Sequence, residues 1–584
     1  MSVNPPQLLR LVAIAQIAFA VGAAAQPVAT ERASGWTDKA PVVSKRFMIA
    51  AANPLAVDAG YAILRQGGSA VDAAIAVQLV LGIVEPQSSG LGGGAFMLVH
   101  DAKRNKLIAY DGRETAPAAA KPDRFLDGSG KPLRFYDAVI GGRSVGVPGT
   151  VALLAETHQR HGKLPWAELF VPAIELAQNG FRISPRLHTM IATERHFDQP
   201  RARAYFYDTA GQPLATGAVI ANPAYAATLR TIAAGGARAF YEGDIARDIV
   251  ATVNSHPANP GDMTLADLAA YKVRVREPVC GPYRAYRVCG MPLPSAGGLT
   301  VLQMLGILEP YDIKAMEPMS LWSVHFISEA GRLAYADRSV YMADPDFYTP
   351  PAGLIDPEYL RERSQLIRTD GSMGRAKPGT PPARAAAQKV AYGDDVALEF
   401  PSTSHISIVD LYGNAVAMTT TIEDVFGSRL MTEGGFLLNN ELTDFSFAPT
   451  ADGKPVANRV DGGKRPRSSM APTIVYDRAG RVYMIAGSPG ASAIINYVVK
   501  TLVGVLDWGL DPQAAIALPN FGSRNGPTEL EKDTAAAALE PKLRALGHET
   551  RVAEETSGLH AIVRTAAGWI GGADPRREGT VRGD

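Results

Sequence analysis

Serine, threonine and histidine stand together at Pro401-Ser402-Thr403-Ser404-His405, where a proline- and alanine-rich stretch gives way to an apolar run. A hydroxyl is a poor nucleophile without a base beside it. Cutting the bond before Thr403 would supply one. The freed α-amine titrates near ~7.7–8.0 and can take the hydroxyl proton near neutral pH. A loose preceding segment would let that bond be strained and its carboxyl end depart. A threonine at the start of a strand also has an ordinary explanation in β propensity, so the pattern needs context.

Two other motifs carry potential chemistry. Gly90-Leu91-Gly92-Gly93-Gly94-Ala95 matches a dinucleotide fingerprint, and Asp111 follows at a suitable distance. That fingerprint requires a strand before the glycines and a helix after them. Here Ala95–Val99 reads as a strand, so close backbone packing is the better reading. Gly142-Arg143-Ser144-Val145-Gly146 has the form of a nucleophile elbow. It is short and common by chance, and a turn before a helix, with Pro148 near its first position, explains it equally well.

The elements that would position these residues follow from periodicity. Residues 55–83 read as two helices broken at Gly67-Gly68, and 95–111 as a hairpin turning at Lys103–Asn105. Residues 149–179, 298–308 and 319–343 read as helical. The stretch 369–402 loses all hydrophobic period, and its first two-thirds read as a flexible linker. Beyond it, 405–410 and 415–422 form a hairpin, as do 471–477 and 481–487. Gly487-Ser488-Pro489-Gly490-Ala491 then opens a long helix near Ser492. This mixture indicates a layered α/β architecture.

Composition bounds the function classes. The 584 residues are 46% hydrophobic and 20% charged, with 58 basic and 58 acidic side chains. Net neutrality without a basic stripe argues against nucleic acid as a partner. A single core seldom serves so long a chain, so two or more lobes are expected. Arg10 precedes an apolar run from Leu11 to Ala25, closed by Ala23-Ala24-Ala25. This reads as a secretory signal, residues 1–25, cut after Ala25. The run is shorter than the ~20 residues a spanning helix needs. The two cysteines, Cys280 and Cys289, flank a probable tight reversal. In an oxidising compartment they could bridge, although spacing alone leaves two free thiols equally open.

Taken together, several segments resemble the gamma-glutamyltransferase family. They are PQSSGLGGGAFML (86–98), DGRETAP (111–117), SVGVPGT (144–150), PLPSAGG (292–298) and YADRSVYMADPDF (335–347). TSHISIVDLYGNAVAMTTTI (403–422), GGFLLNNELTDFS (434–446), KRPRSSMAPTIV (464–475), GSPGAS (487–492) and ADPRR (573–577) extend the match over nearly the whole chain. The resemblance implies an N-terminal nucleophile hydrolase fold, an αββα sandwich. It also implies autocatalytic cleavage between Ser402 and Thr403. The products would be a large subunit, 26–402, ending in a linker at about 369–400, and a small catalytic subunit, 403–584, associated as a heterodimer. No cofactor and no metal are implied. Substrates would be glutathione, other γ-glutamyl compounds, and amino-acid or peptide acceptors, handled in the periplasm or outside the cell.

Carried over residue by residue, Thr403 matches the family nucleophile and Thr421 the threonine that hydrogen-bonds it. Arg113 matches the residue that binds the donor α-carboxylate, which suits a bidentate guanidinium. Glu441 and Asp444 match the pair that holds the α-ammonium. Ser468 and Ser469 match a serine pair on the carboxylate, and Gly490 and Ala491 the backbone N–H groups of an oxyanion hole, a fitting role at a helix N-terminus. Three departures stand out. Ala491 replaces a second glycine, a difficulty if that position needs positive φ. Glu423 replaces a common asparagine and would add negative charge to the ammonium pocket. The stretch 447–463 is shorter than the family's lid loop and lacks a tyrosine. Two alternatives stay open: a related glutaryl (cephalosporin) acylase, and a non-catalytic homologue that binds γ-glutamyl compounds without turnover.

Overall fold

The structure, a computed structural model, describes residues 33–382, 391–395, 397, 399–400 and 402–584. The expected signal from Arg10 to Ala25, and residues 383–390 of the expected linker, lie outside the described residues.

Two antiparallel sheets of seven strands stack face to face. The first runs, in order, Val42–Ser44, Gly568–Ala573, His560–Thr565, Val482–Gly487, Thr473–Tyr476, Tyr286–Gly290 and Val279–Tyr283. The second runs Thr580–Gly583, Met48–Ala51, Thr403–Val409, Ala415–Thr421, Gly94–Asp101, Lys106–Gly112 and Arg274–Arg276. Each sheet therefore takes strands from both sides of the Ser402–Thr403 bond. Helices Pro54–Arg65 and Ala70–Val84 cover the outer face of the second sheet. Helices Gly297–Leu308 and Ile494–Leu506 cover the first, with Leu321–Tyr341 packed against Gly297–Leu308. This is the expected αββα sandwich.

Side-chain alternation separates the layers. Along the central hairpin, Ile406, Ile408, Val416 and Met418 join the apolar cluster under the helices Pro54–Arg65 and Ala70–Val84. Val409, Ala415 and Ala417 join the cluster shared with the other sheet. With a period of two, Thr403, His405, Thr419 and Thr421 fall on the inter-sheet side. The hairpin turn is fixed by Asp410, whose Oδ1 accepts from the Tyr412 and Asn414 amides at 2.9 Å each. Ala70–Val84 is apolar nearly all round and correspondingly buried. It begins at a capping box in which Ser69 Oγ accepts from the Asp72 amide (3.1 Å) and Asp72 accepts from the Ser69 amide (2.8 Å).

Two expectations change and one open choice is decided. Residues 149–179 are not one helix. Thr150–His161 ends at Gly162, a 3₁₀ turn follows at Trp166–Phe170, and Val171–Asn179 starts afresh. Asp72 captures the Lys163 and Leu164 amides there (2.9 and 3.2 Å), which takes them out of any helical ladder. Residues 369–382 lack regular structure but are pinned rather than loose. Ser372 Oγ donates to Glu329 (2.7 Å) and the Gly379 amide donates to Asp337 (2.7 Å). Cys280 and Cys289 are directly opposed in the hairpin Val279–Tyr283/Tyr286–Gly290 and form a disulfide.

Alkylation under denaturing conditions without reductant should therefore leave both cysteines unlabelled, as read by peptide mass. For so short a loop, chain-entropy arguments put the bridge's contribution at about 2–3 kcal/mol. Cys280→Ser/Cys289→Ser should lower the denaturation midpoint accordingly; labelling of either thiol in the native protein would contradict the bridge.

Candidate active site

Thr403 is the first residue of its strand and pairs in register with Thr421 on the neighbouring strand. Its hydroxyl donates to Thr421 Oγ1 at 3.3 Å. Thr421 Oγ1 also accepts from the Glu423 amide (2.9 Å) and donates its own proton to the carbonyl oxygen of Ser402 (2.8 Å). One hydroxyl thus contacts both the Thr403 hydroxyl and the carbonyl beside it. Deeper along the strand, His405 is held by Thr419 Oγ1 (2.9 Å) and Ser407 Oγ (3.0 Å). Burial, then the neighbouring His560, pushes its pKa well below the usual histidine value. It is a neutral structural group.

The glycine run at 90–94 lies alongside as packing, not as a nucleotide loop. A Cβ on Gly93 would lie 2.1 Å from the Thr421 carbonyl oxygen, and one on Gly92 would lie 2.1 Å from that of Leu437. Glycine here lets Thr421 be approached from behind. Ser144 sits in a buried 3₁₀ turn, its hydroxyl bonded to the Val139 (2.5 Å) and Gly141 (3.1 Å) carbonyls. Among the described residues it bonds to no base, and the nucleophile-elbow reading falls.

A small cavity of about 20 Å³ adjoins Thr403. Arg113, Glu423, Glu441, Asp444, Ser468, Ser469 and Ala491 all line it, together with Thr403 and Thr421. These residues, scattered over nearly four hundred positions, thus meet in one place, while Gly490 stands next to the lining at Ala491. Arg113 follows the strand Lys106–Gly112. Its amide is held by Asp111 (3.0 Å) and its carbonyl by the Tyr271 hydroxyl (2.8 Å). Glu441 and Asp444 lie on a single 3₁₀ turn and both pair with the Arg113 guanidinium. Arg113 also donates to the Pro466 (3.2 Å) and Arg467 (2.8 Å) carbonyls, so its donors are almost fully engaged.

Four carboxyl groups crowd one cation here. Burial alone would lower the Arg113 pKa, but Glu441, Asp444 and Glu114 hold it charged, above its ordinary value. Burial pushes Glu114 up to about 7. Burial, followed by Asp444, Asp424 and Glu441, pushes Glu423 well above the usual carboxylate range. Burial and the neighbouring carboxyls therefore disfavour the extra negative charge expected from Glu423. Its oxygens hold the Phe400 amide (3.2 Å) and the Asn440 side-chain amide.

Gly490 and Ala491 stand at the head of the helix Ile494–Leu506, entered through a 3₁₀ turn. Both have positive φ, +133° and +50°. The alanine accepts the conformation usually reserved for glycine, at a strain of about 1–2 kcal/mol, and the turn keeps its shape.

Other pocket residues were not singled out from sequence. Glu399 and Phe400, from the segment before Thr403, fill part of the cavity. The Phe400 ring stacks on Phe135 at 4.0 Å between centroids. Glu399 accepts from Ser469 Oγ (2.6 Å) and pairs with Arg338 of the helix Leu321–Tyr341. Arg338 lies within the quoted segment 335–347, which was the available signal. Nothing in a low-complexity stretch marks Glu399 as buried.

The gamma-glutamyltranspeptidase family model matches residues 56–583. The chain belongs to that family. It is 36% identical over 514 residues to the glutathione hydrolase proenzyme of Bacillus subtilis strain 168, covering 87% of this chain and 86% of the relative. It is 36% identical over 591 residues to the glutathione hydrolase proenzyme of Escherichia coli K12, covering 98% of each. Among solved structures, a cephalosporin acylase from Bacillus halodurans superposes with a TM-score of 0.81 at 27% identity, over 94% of this chain and 97% of that one. The gamma-glutamyltranspeptidase of Helicobacter pylori gives 0.55 at 34% identity, over 60% and 99%. This is an enzyme of the gamma-glutamyltranspeptidase family, and the non-catalytic alternative gives way to that assignment.

Two substitutions test the geometry. Ser144→Ala should leave kcat unchanged and cost only about 1 kcal/mol of stability, the worth of a buried hydroxyl bond. Gly93→Ala should cost about 1–3 kcal/mol through overpacking and lower kcat by displacing Thr421. A kcat lost in the first and kept in the second would reverse the assignment.

Proposed function

We propose that the chain is made as a precursor that cuts its own Ser402–Thr403 bond, and that Thr403 then moves γ-glutamyl groups from glutathione, glutamine and other γ-glutamyl amides to water, amino acids or peptides. The observation that carries this reading is the Thr421 hydroxyl, which accepts from Thr403 and donates to the Ser402 carbonyl. In the first step Thr403 Oγ bonds to the Ser402 carbonyl carbon and the C–N bond to Thr403 breaks. The hydroxyl proton passes to the departing nitrogen. Water hydrolyses the resulting ester, leaving a Ser402 carboxylate and a free Thr403 amine. That amine, near ~7.7–8.0 in ordinary surroundings, then serves as base.

In turnover, Thr403 Oγ attacks the γ-amide carbon, and the leaving amine departs with a proton. The γ-glutamyl ester is resolved by water or an acceptor amine. Oxyanion stabilisation falls to the Gly490 and Ala491 N–H groups at the helix head. The donor ammonium belongs beside Glu441 and Asp444, where it replaces protons that the crowded carboxyls otherwise hold. The names of the two bacterial relatives as proenzymes support the cleavage, and as glutathione hydrolases the donor class.

We also propose export, on the Arg10–Ala25 pattern and a cystine in the fold, to the periplasm or beyond. No helix among the described residues is long and apolar enough to cross a membrane.

The acylase reading draws support from the Bacillus halodurans neighbour and from a relative named acylase ACY 1 proenzyme, of Pseudomonas sp. SE83, at 35% identity. A glutaryl group has no ammonium, so it gives Glu441 and Asp444 no task beyond holding Arg113.

Thr403→Ala should remain one uncleaved chain on a denaturing gel; the same two fragments from this variant would refute the mechanism. In the mature enzyme, Asp444→Ala should cut kcat/KM for γ-glutamyl-p-nitroanilide by more than tenfold, since losing a buried charged contact costs about 2–5 kcal/mol. The loss for glutaryl-p-nitroanilide should be smaller. Glu423→Ala in the same background controls for substitution of one carboxylate by another. Preference of the wild type for the glutaryl donor, with γ-glutamyl turnover indifferent to both changes, would hand the assignment to the acylase.

A further inference from the structure

The turn that carries the proposed oxyanion donors is strained, and it is gripped on both sides. Ala491 holds a φ of +50°, a left-handed conformation that an alanine keeps only where its surroundings enforce it. On one side Gly490 lies against a ring. A Cβ there would come within 2.5 Å of Tyr497 Cε2, and the Tyr497 hydroxyl donates to Glu555 at 2.8 Å. On the other side stands Ser492. Its carbonyl accepts from the Tyr335 hydroxyl, of the helix Leu321–Tyr341, and its Oγ accepts from Arg524 Nη1 at 2.7 Å.

Arg524 is itself held in place. It follows the strand Phe521–Ser523 of a three-stranded sheet completed by Thr528–Glu531 and Thr550–Ala553. Glu529, on the second of these strands, accepts from Arg524 Nε (3.0 Å) and Nη2 (2.5 Å). That two-point pairing fixes the plane of the guanidinium and leaves Nη1 for Ser492. The next residue, Asn525, anchors the tip of the hairpin. Its side-chain amide accepts from the Ala376 amide (2.7 Å) and donates to the Ala376 carbonyl (3.0 Å). Arg551, on the third strand, pairs with the same Glu529. Among the described residues its hydrogen bond goes to Glu529 and not to the turn.

We propose that Arg524 is a positioning residue for catalysis: by holding Ser492 it keeps Ala491 in its left-handed conformation, and so keeps the Gly490 and Ala491 N–H groups aimed at the developing oxyanion. This rests on the reading of that turn as the oxyanion hole of acyl transfer by Thr403. Such donors lower the barrier when their direction is set before the charge appears. A glycine at 491 would take the same φ without strain, so the alanine raises the demand on the clamp. The strain is comparable to what one hydrogen bond from a charged donor supplies.

The test compares mature wild type, Arg524→Gln, Arg524→Lys, Ser492→Ala and Arg551→Gln on γ-glutamyl-p-nitroanilide, with the denaturation midpoint of each. Outright loss of an oxyanion donor lowers kcat by roughly a hundredfold or more, so misaiming by Arg524→Gln should lower it by about tenfold. KM should be nearly kept, because these donors act on the transition state. Arg524→Lys, which keeps the charge, should recover part of the loss. Ser492→Ala removes only the accepting hydroxyl and should lower kcat by a similar factor, which covers an Arg524→Gln that fails to mature. Combining the two should cost no further kcat, since both break one contact. Arg551→Gln should keep kcat, and in an Ala491→Gly background the Arg524→Gln loss should shrink. The proposal is overturned by an unchanged kcat in Ser492→Ala, a loss confined to KM, or additive losses in the double variant. An equal kcat loss in Arg551→Gln, or a loss undiminished by Ala491→Gly, overturns it as well. If wild type turns over only glutaryl-p-nitroanilide, the γ-glutamyl reading fails and the same comparison is read on that donor.

Discussion

The hydroxyl of Thr421 ties the rest of this active site together. It reads the position of the Thr403 hydroxyl on one side and of the Ser402 carbonyl on the other, while the Glu423 amide fixes its own rotation. All three contacts depend on strand register. A slip of one residue would turn Thr421 toward the helices and bring Thr420 to the inter-sheet side. Register is held at the far end of the hairpin by Asp410 and laterally by the adjoining strand Gly94–Asp101. The glycine at 93 lets that part of the chain come within contact of the Thr421 backbone, and the one at 92 admits the Leu437 backbone. The glycine run, which resembles a nucleotide loop, therefore supports the Thr403–Thr421 pair at one remove.

Around this pair the pocket is built short of cations. Arg113 faces Glu114, Glu441 and Asp444, with Glu423 close by, and burial makes full ionisation of all four carboxyls unfavourable. Burial and mutual repulsion accordingly shift the carboxyls toward their neutral forms. A ligand bearing an ammonium can take the place of their protons and return the carboxylates to their charged form, whereas a neutral ligand cannot. The charge balance would thus favour the proposed amino-acid-like donor over one without an ammonium.

Much of this was legible in the sequence and part of it was not. The hairpins at 95–111 and 471–487, the two helices parted at Gly67-Gly68 and the helix after Ser492 follow from periodicity and turn residues, and they stand where expected. The break within 149–179 does not follow, because it depends on Asp72, nearly a hundred residues away, capturing the Lys163 and Leu164 amides. The site residues were reachable only as motifs. Nothing local says that Arg113 meets Asp444, since long-range pairing brings them together. Charge state was the least legible feature. Glu423 reads as added negative charge until its neighbours are known, and Glu399 reads as solvated linker until its burial is seen. The disulfide was an even choice from spacing, and the strand register decides it.

The position of the proposed cut follows from the same architecture. Three strands of the first sheet and four of the second precede Thr403, and the rest follow it. The two pieces would share both cores, so cutting the chain would not separate them. Thr403 is the first residue in the ladder, and every strand pairing of Thr403–Val409 lies on its C-terminal side. Breaking the preceding bond therefore removes no strand hydrogen bond. What the segment before it does make are side-chain contacts inside the pocket, through Glu399 and Phe400. Cleavage would release the contacts that block the site and keep those that build it. A cut further along, within 403–409, would instead sever the strand that begins at Thr403.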